Sequence, residues 1–311
     1  MECIINDFSS KKDIAILIPC LNEESTIADV VTGFKESFSG SNIYVYDNGS
    51  TDQTVDYASR AGAITKVENT PGKGCVVRRM FADIEAEIYV IVDGDGTYDP
   101  SDAPKLVKLL DDFELDMVVG SRKNSGEYYR TGHALGNKVF NKLYSWLFGE
   151  GFSDIFSGYR VFSRRFVKSF PAISSGFEIE TEISVHASQL RLPVAESDID
   201  YKDRPEGSKS KLRTFSDGWK ILKTMVTLLK DNRPLAFFGT LSALSFVAAI
   251  VIGVPIVVDF SQTGLVEKLP SAILATGLVL VSLVALALGL ILDSLTRGRI
   301  EIKRLSYLNS H

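Results

Sequence analysis

The stretch that decides the fold is "IYVIVDGDGTYDP", residues 88–100, in which an apolar run leads directly into two aspartates. Asp93 and Asp95 are separated only by Gly94, and Gly96 follows them. In an extended backbone, residues two apart turn their side chains to the same face, so we expect both carboxylates to lie on one side. Two like charges that close raise a pKa unless a cation joins them. The stretch therefore predicts a buried strand that ends in a cation-binding pair.

Apolar runs and helical patterns alternate along the chain on both sides of this stretch. The candidate strands are residues 14–18, 43–47, 64–67, 88–93 and 117–120, and helix-like segments cover residues 25–38, 51–61, 74–84 and 102–111. This alternation is typical of an α/β domain with a mostly parallel, Rossmann-like sheet. Ligands of such sheets bind beyond the carboxyl ends of the strands, so those ends are where a site is expected.

Polar sequences follow four of the predicted strands. They are "PCLNEE" (19–24), "DNGSTDQT" (47–54), "DGDGT" (93–97) and "GSRK" (120–123). Helix capping accounts for Thr51 or Asp52, but capping does not require acids at several strand ends along one edge. Oxygen ligands without nearby histidine or cysteine suit Mg²⁺ or Mn²⁺, which complete their shells with substrate phosphates. The sequence therefore predicts an Mg²⁺ or Mn²⁺ site at this edge of the sheet.

The bulk composition excludes several classes of protein. A net charge of −5 over 311 residues argues against a nucleic-acid binder that works through a basic surface. The three cysteines and three histidines are widely dispersed, so no zinc spacing can be assembled. The N-terminal sequence "MECIINDFSSKK" has no apolar core and does not resemble a secretory signal peptide.

The last third of the chain contains two long apolar runs without a charged residue, residues 235–258 and 269–292. A bilayer core needs about 20 apolar residues in a helix, so both runs are predicted to span a membrane. Lysines and arginines flank the outer ends of the pair, whereas the connector has a single lysine. Positive residues stay on the cytoplasmic side, so we expect a multi-pass protein of the inner or plasma membrane with both termini and the α/β domain cytoplasmic.

The expected domain organisation follows from these runs. Residues 1–212 form the α/β domain, 213–233 an amphipathic juxtamembrane helix, 234–293 the two membrane helices and 294–311 a cytoplasmic tail. The amphipathic segment has an apolar stripe at spacings of four and three with lysines off the stripe, which is typical of a helix in the membrane interface. Packing of this helix against the soluble domain is the competing interpretation.

Three other motif interpretations compete for the acidic stretch. An EF-hand loop requires glycine in place of Tyr98 and an acid in place of Thr97, and "TPGKGC" lacks the frame of a Walker A loop, so both fail. The stronger alternative is the nucleophile motif of a haloacid-dehalogenase-like phosphatase, in which Asp93 would become phosphorylated. That motif normally follows the first strand of its fold, whereas here it follows the fourth.

An ordered set of motifs resembles the family 2 glycosyltransferases, which have the GT-A fold. The motifs are "PCLNEE", "DNGSTDQT", "GKG", "DGDGTYDP", "GSRK", "SDIFSGYR" and "DRPEGSKSK". Within that family the chain is most similar to the polyprenyl-phosphate branch, which includes dolichol-phosphate mannose synthase and the bacterial glucosyltransferases of O-antigen modification. The resemblance covers about residues 13–230, and the two apolar runs match the bacterial members in number and placement.

The resemblance implies roles for individual residues. Those expected to bind the nucleotide sugar are Pro19, Asn22, Glu23, Asp47, Lys73, Asp93, Gly94 and Asp95. Asp93 and Asp95 match the metal–diphosphate motif, with Asp95 expected before Asp93 as the direct metal ligand, and Asp154 aligns with the acid usually proposed as catalytic base. The residues expected to contact acceptor or donor phosphates are Arg122, Arg130, Arg204, Ser208 and Lys209. The family often has a second acid where this chain has Asn48, so the preferred nucleotide base stays open.

The activity that the resemblance implies is inverting transfer of a hexose from a nucleotide-diphosphate sugar to a polyprenyl phosphate, with Mg²⁺ or Mn²⁺ as cofactor, in cell-envelope glycan biosynthesis. The expected donors are UDP-glucose or UDP-N-acetylglucosamine, with GDP-mannose behind them. The membrane is an expected partner, and relatives often assemble into homo-oligomers. A membrane-tethered nucleotide-sugar sensor without turnover is a further alternative. A decayed enzyme would be expected to lose Asp93, Asp95 or Asp154, and all three are present.

Overall fold

The computed structural model describes residues 12–122, 144, 152–176, 178–202, 223 and 226–310. The chain divides into two compact units. The first comprises residues 1–212 together with residues 303–311, and the second comprises residues 213–302. The candidate site lies in the first unit, and the second is built on long apolar helices.

The first unit alternates strands and helices, which confirms the predicted α/β class. Its strands are β1 (Ile14–Cys20), β2 (Asn42–Asp47), β3 (Ile64–Val67), β4 (Ile88–Ile91), β5 (Met117–Arg122), β6 (Arg160–Ser163) and β7 (Val194–Ile199). Its helices are α1 (Ile27–Ser37), α2 (Thr54–Arg60), α3 (Lys73–Asp83), α4 (Ala103–Asp112), α5 (Arg164–Ser169) and α6 (Ile179–Leu190). A short 3₁₀ turn, Pro100–Asp102, leads into α4.

The strands form one seven-stranded sheet in the order β3-β2-β1-β4-β6-β5-β7. All neighbours pair in parallel except β6, which is antiparallel to both β4 and β5. In this register Arg160, at the start of β6, lies opposite Ile91 of β4 and Val119 of β5. The segment that precedes β6 is therefore delivered to the carboxyl ends of β4 and β5, where the sequence predicts the site.

The core explains why the central strands are apolar on both faces. All seven residues of β1 are buried, which is typical of a strand covered by helices on either side. On one face α1 contributes Ile27, Val31 and Phe34, whose spacing of four and three places them on one stripe of the helix. Burying a side chain of this size stabilises the fold by roughly 1.5–3 kcal/mol, so these contacts hold the strand ends in fixed positions.

The second unit contains α7 (Pro234–Thr263) and α8 (Leu269–Leu308). Each has a stretch with a mean hydropathy of 2.6 and is long and apolar enough to be a candidate membrane span. The Ser242 and Ser282 hydroxyls lie 3.0 Å apart and link the two helices. The predicted spans lie within these helices, and α8 continues through most of the predicted tail. Most of the predicted amphipathic segment, residues 213–233, lies outside the described residues.

The end of α8, from Lys303 onward, groups with the first unit. The Tyr307 hydroxyl donates a hydrogen bond of 2.7 Å to Asp116, which is fully buried at the start of β5. Asp116 also accepts a hydrogen bond of 2.6 Å from Ser163 and forms an ion pair of 3.3 Å with Arg165. These partners satisfy a carboxylate whose burial would otherwise be costly.

Candidate functional site

The acidic stretch after β4 forms a turn. β4 ends at Ile91, the backbone turns at Gly94 and Asp95, and Gly96 has a φ of 71°. The expectation that the backbone stays extended through both aspartates is therefore wrong, because the glycines allow the chain to turn as soon as it leaves the sheet. Asp93 keeps a partly exposed side chain. Asp95 is 4% exposed, and its carboxylate accepts a hydrogen bond of 2.6 Å from the Thr97 hydroxyl.

Negative charge gathers around Cys20, the last residue of β1. Burial raises the pKa of the Cys20 thiol well above its ordinary value. Nearby carboxylates raise this pKa further, and they belong to Glu23, Asp47, Asp93 and Asp95. A Cβ on Gly94 would lie 2.5 Å from the Cys20 sulfur, so glycine lets the acidic turn approach this closely. The structure thus brings together four of the acids that the sequence predicts at the strand ends, and their charge favours a bound cation.

The predicted nucleotide residues after β1 and β2 hold one another in place. Asn22 has a φ of 51°, and its side-chain oxygen accepts a hydrogen bond of 2.8 Å from the backbone N–H of Thr51. The backbone N–H of Glu23 donates to the Thr54 hydroxyl at 2.9 Å. Pro19 lies inside β1, and the buried Asp47 carboxylate accepts from the backbone N–H of Gly49 and Ser50 at 3.0 and 2.9 Å. Hydrogen bonds therefore hold the loops after β1 and β2 in place.

The side chain of Asn48, where the resembling family often has a second acid, binds three backbone groups among the described residues. Its amide nitrogen donates to the carbonyls of Glu68 and Thr70 at 2.9 and 2.8 Å. Its side-chain oxygen accepts from the N–H of Gly72 at 2.6 Å. Asn48 therefore ties the β2 loop to the segment that leads into α3. A carboxylate could not make the two donations.

We expect Asn48→Asp to destabilise the protein. The new carboxylate would face two carbonyl oxygens and leave them without their donor, at a cost of roughly 2–3 kcal/mol. Thermal unfolding of the detergent-solubilised chain should show a Tm lower by roughly 4–12 °C for a unit of this size. Asn42→Asp makes the same chemical change at an exposed position and should leave Tm nearly unchanged. Equal Tm values for the two variants would contradict the role assigned to Asn48.

Lys73, the first residue of α3, lies between two carboxylates. Its amine is 2.5 Å from Asp93 Oδ1 and 2.5 Å from Glu180 Oε1. Burial alone would lower the pKa of Lys73, but Asp93 and Glu180 outweigh burial and raise it above its ordinary value. The amine is therefore charged at neutral pH, and a fixed positive charge lies beside the predicted metal ligands.

The glycines on either side of Lys73 let another segment pack against the start of α3. A Cβ on Gly72 would collide with the carbonyl oxygen of Ser175, and one on Gly74 would collide with that of Ser174. The N–H of Gly74 donates to the Ser175 carbonyl at 3.0 Å. Because this segment leads into α6, the close approach places Glu180 beside Lys73. In the "GKG" motif the two glycines are thus required for packing, and the lysine supplies the charge.

Asp154, the predicted base, forms a bidentate ion pair with Arg122. Arg122 Nε and Nη2 donate to the two carboxylate oxygens at 2.6 and 2.7 Å. Glu196 accepts from the backbone N–H of Ser153 and Asp154, at 2.8 and 3.2 Å, and so holds the loop that carries Asp154. The Arg122 guanidinium lies over the Tyr201 ring, 5.4 Å from its centroid. The structure therefore joins two residues for which the sequence predicts separate roles.

Arg160, the last residue of "SDIFSGYR", supports the same loop from within the core. It is 1% exposed, and its guanidinium donates to the carbonyls of Ile155 and Ser157 at 2.6 and 3.0 Å. A third hydrogen bond of 2.9 Å reaches the Ser184 hydroxyl of α6. Burial lowers the pKa of Arg160, whereas the charges of Glu180 and Asp154 raise it. The loop of Asp154 and the helix of Glu180 are therefore connected through one buried cation.

Some predicted residues cannot be placed. Arg130, Arg204, Ser208 and Lys209 lie outside the described residues. Conversely, Glu180, Glu196 and the buried role of Arg160 were not predicted from the sequence. The stretch "FEIETEISVHA" contains three glutamates at alternate positions, and nothing in it singled out Glu180. Glu196 gave no signal either, because it lies in a polar edge strand.

The donor set around the acidic turn fits a hard divalent cation. Asp93 and Asp95 offer only oxygen atoms, which suits Mg²⁺ or Mn²⁺. Within the part of the chain that the structure describes, no group of three or more His, Cys, Asp or Glu side chains is arranged to hold a metal by itself. A cation here would therefore need further oxygen ligands from a substrate or from water, as Mg²⁺ sites usually do.

Comparison with known proteins agrees with this architecture. Residues 15–170 match the family described as Glycosyl transferase family 2. The chain is 32% identical over 301 residues to Glycosyltransferase AglJ of Haloferax volcanii, which covers 95% of this chain and 98% of that protein. It is 27% identical over 222 residues to Dolichyl-phosphate hexose transferase of the same organism, covering 71% of this chain and 96% of that protein.

A solved structure shares the fold. Glucosyl-3-phosphoglycerate synthase of Mycobacterium tuberculosis, in complex with Mn²⁺, uridine-diphosphate-glucose and phosphoglyceric acid, aligns with a TM-score of 0.58 at 23% identity. The alignment covers 74% of this chain and 83% of that one. The family match over half of the chain, the similarity along nearly its whole length and the GT-A-like mixed sheet lead to one conclusion. The chain belongs to glycosyltransferase family 2.

Proposed function

We propose that this glycosyltransferase moves a hexose, with inversion, from a nucleotide-diphosphate sugar to a polyprenyl monophosphate such as undecaprenyl or dolichyl phosphate. UDP-glucose and UDP-N-acetylglucosamine are the preferred donors in this proposal, with GDP-mannose behind them. The observation that carries it is the set of carboxylates around Cys20, with the charged Lys73 amine beside Asp93. Clustered acids and a fixed cation suit a diphosphate that arrives with a divalent metal ion.

The metal and the donor are supported by similarity as well as by charge. The synthase that shares this fold binds Mn²⁺ and uridine-diphosphate-glucose in its crystal structure. Asp93 and Asp95 are proposed to hold the cation, and Pro19, Asn22, Glu23, Asp47, Lys73 and Gly94 to line the nucleotide sugar. All of them except Lys73, which begins α3, lie at the carboxyl ends of β1, β2 and β4, which agrees with where α/β sheets bind ligands.

The lipid acceptor is supported by the second unit and by one relative. Two candidate membrane helices would confine the enzyme to a bilayer surface, where a polyprenyl phosphate presents its headgroup. A relative over 71% of the chain is named for transfer to dolichyl phosphate. The lysines and arginines outside the two spans support an inner or plasma membrane protein whose termini and catalytic domain face the cytoplasm.

The chemical difficulty is electrostatic, because an acceptor phosphate must approach a donor diphosphate. A divalent cation bound to Asp93 and Asp95 would offset the charge that develops on the leaving diphosphate. Arg122 suits the acceptor phosphate because a guanidinium has five N–H donors in one plane, of which Asp154 uses one at Nε and one at Nη2. A phosphomonoester has a second pKa of about 6, so the attacking oxygen is already largely ionised at neutral pH. Asp154 is therefore needed less as a base than as the anchor that orients Arg122.

The two alternatives for the acidic motif are not favoured. In a haloacid-dehalogenase-like phosphatase the motif would follow the first strand, whereas here it follows β4, and the family match covers it. A sensor without turnover would have no need for the supported pair of Asp154 and Arg122. Release of inorganic phosphate would nevertheless identify a phosphatase, and binding without transfer would identify a sensor.

The test mixes the full chain in detergent with undecaprenyl phosphate, Mn²⁺ or Mg²⁺ and a panel of radiolabelled nucleotide sugars. We expect label to move from one donor into the organic phase. EDTA should stop the transfer, and added Mn²⁺ or Mg²⁺ should restore it. Failure to transfer label from any donor would overturn the proposal, and transfer that persists in EDTA would overturn its metal dependence.

A further inference from the structure

The Lys73 amine binds Asp93, which is one of the proposed metal ligands. The amine forms an ion pair of 2.5 Å with Asp93, and the same amine is 2.5 Å from Glu180. The side chains of Lys73 and Glu180 are 12% and 10% exposed, whereas that of Asp93 is 30% exposed. Of the two carboxylates that bind Lys73, Asp93 is therefore the more exposed to solvent and Glu180 the more enclosed. A metal that approaches Asp93 meets a bound cation.

Lysine and a divalent cation compete for this carboxylate. A metal at about 2.1 Å from the Asp93 oxygen that Lys73 now contacts would lie within about 5 Å of the amine. Two cations at that separation repel in a partly buried site, so metal binding favours release of the Asp93 oxygen by the amine. A buried ammonium without a partner is costly, and Glu180 supplies the second partner.

We propose that Glu180 is a positioning residue for the Lys73 amine. When a divalent cation displaces this amine from Asp93, Glu180 remains its charged partner. The N–H group of Lys73 that bound Asp93 can then turn to the donor diphosphate. This inference rests on the proposed function, in which Asp93 is a metal ligand. The exchange keeps the positive charge of Lys73 in the site before and after the metal binds. It also avoids placing both cations on one carboxylate.

The surroundings of Glu180 support a fixed position for it. Glu182, on the same turn of α6, accepts hydrogen bonds from the N–H groups of Ile173 and Ser174 at 2.9 and 2.7 Å. Those residues lie in the segment that packs against Gly72 and Gly74 at the start of α3. The distance between α6 and Lys73 is thus set by backbone contacts. Glu180 can hold the amine without moving when Asp93 is taken by the metal.

The test measures Mn²⁺ binding to the full chain in detergent without donor or acceptor, by the electron paramagnetic resonance signal of free Mn²⁺. In Glu180→Gln the amine has only Asp93 as a charged partner, so we expect Mn²⁺ to bind about tenfold more weakly. In Lys73→Gln the competing cation is gone, so Mn²⁺ should bind about three- to tenfold more tightly. Glu180→Asp keeps the charge and should recover most of the affinity lost in Glu180→Gln.

The matched control is Glu85→Gln, which removes the carboxylate of a lysine pair at the surface, Glu85 with Lys168 at 2.7 Å. It should leave Mn²⁺ affinity within twofold of the unaltered chain. An unchanged affinity in a folded Glu180→Gln protein would overturn the exchange. Weaker Mn²⁺ binding in Lys73→Gln would also overturn it, because Lys73 would then only support Asp93. If Glu180→Gln does not fold, weaker Mn²⁺ binding in Lys73→Gln still overturns the exchange.

This readout separates the inference from the proposed function. If the unaltered chain binds no Mn²⁺, either alone or together with UDP, both the metal site and the exchange are wrong. If Mn²⁺ binds and the variants shift its affinity in opposite directions, the exchange stands even when no donor supports transfer to lipid. Isothermal titration with UDP and Mn²⁺ adds a second readout, in which Lys73→Gln should weaken UDP binding about tenfold through the loss of a charged contact to phosphate.

Discussion

Replacing Asp154 by asparagine is expected to lower sugar transfer by about a hundredfold or more. The carboxylate accepts two hydrogen bonds from Arg122, at 2.6 and 2.7 Å. An asparagine amide can accept only one of them and presents an N–H₂ group to the second donor. Arg122 would then lose its orientation toward the acceptor phosphate. Initial rates of lipid-extractable label, measured with saturating donor, report this loss.

A double-mutant cycle with Arg122→Gln shows whether the pair acts as a unit. If Asp154 works by orienting Arg122, adding Asp154→Asn to Arg122→Gln should lower the rate only slightly further, because residues that act together are not additive. A further hundredfold loss would instead indicate an independent role as base. Asp111→Asn, a change at a partly exposed residue of α4 that pairs with Lys12, should keep nearly full activity. Near-normal transfer by Asp154→Asn would exclude an essential role for the Asp154 charge.

Replacing Arg160 by methionine is expected to destabilise the first unit by roughly 3–5 kcal/mol, because three buried acceptors lose their donor. These are the Ile155 and Ser157 carbonyls and the Ser184 hydroxyl. Methionine fills the space of the arginine stem but donates no hydrogen bond. Removal of a buried charge offsets part of the loss. Thermal unfolding should show a Tm lower by roughly 6–20 °C.

The matched control is Arg79→Met on the exposed face of α3. Arg79 pairs with Asp83 at 2.9 Å and is 59% exposed, and exposed pairs contribute at most about 1 kcal/mol. The control should therefore unfold within a few degrees of the unaltered chain. A Tm for Arg160→Met equal to that of the control would show that the loop before β6 does not depend on Arg160. In that case the support for Asp154 would have to come from Glu196 and Arg122 alone.

Much of the fold was predictable because local patterns determine it. The first five strands are short apolar runs followed by helical patterns. Asp47, Asp93 and Asp95 mark the carboxyl ends of β2 and β4, because a carboxylate is costly in the middle of a buried strand. The strand β7 was missed because "VAESDI" alternates poorly and lies at an edge, where only part of a strand is buried. The strand β6 was missed because it has only four residues and its antiparallel placement depends on partners far away in the chain.

The sequence by itself determined the α/β class, the acidic edge and the two apolar helices, since these depend on the order and spacing of residue types along the chain. Only the tertiary structure decided which charges meet. It placed Glu180 beside Lys73, joined Arg122 to Asp154, used Asn48 to bind backbone groups and turned the backbone between Asp93 and Asp95. The two ion pairs join residues that are 32 and 107 positions apart, so they depend on how helices and strands pack, and a spacing pattern along the chain carries no record of that packing.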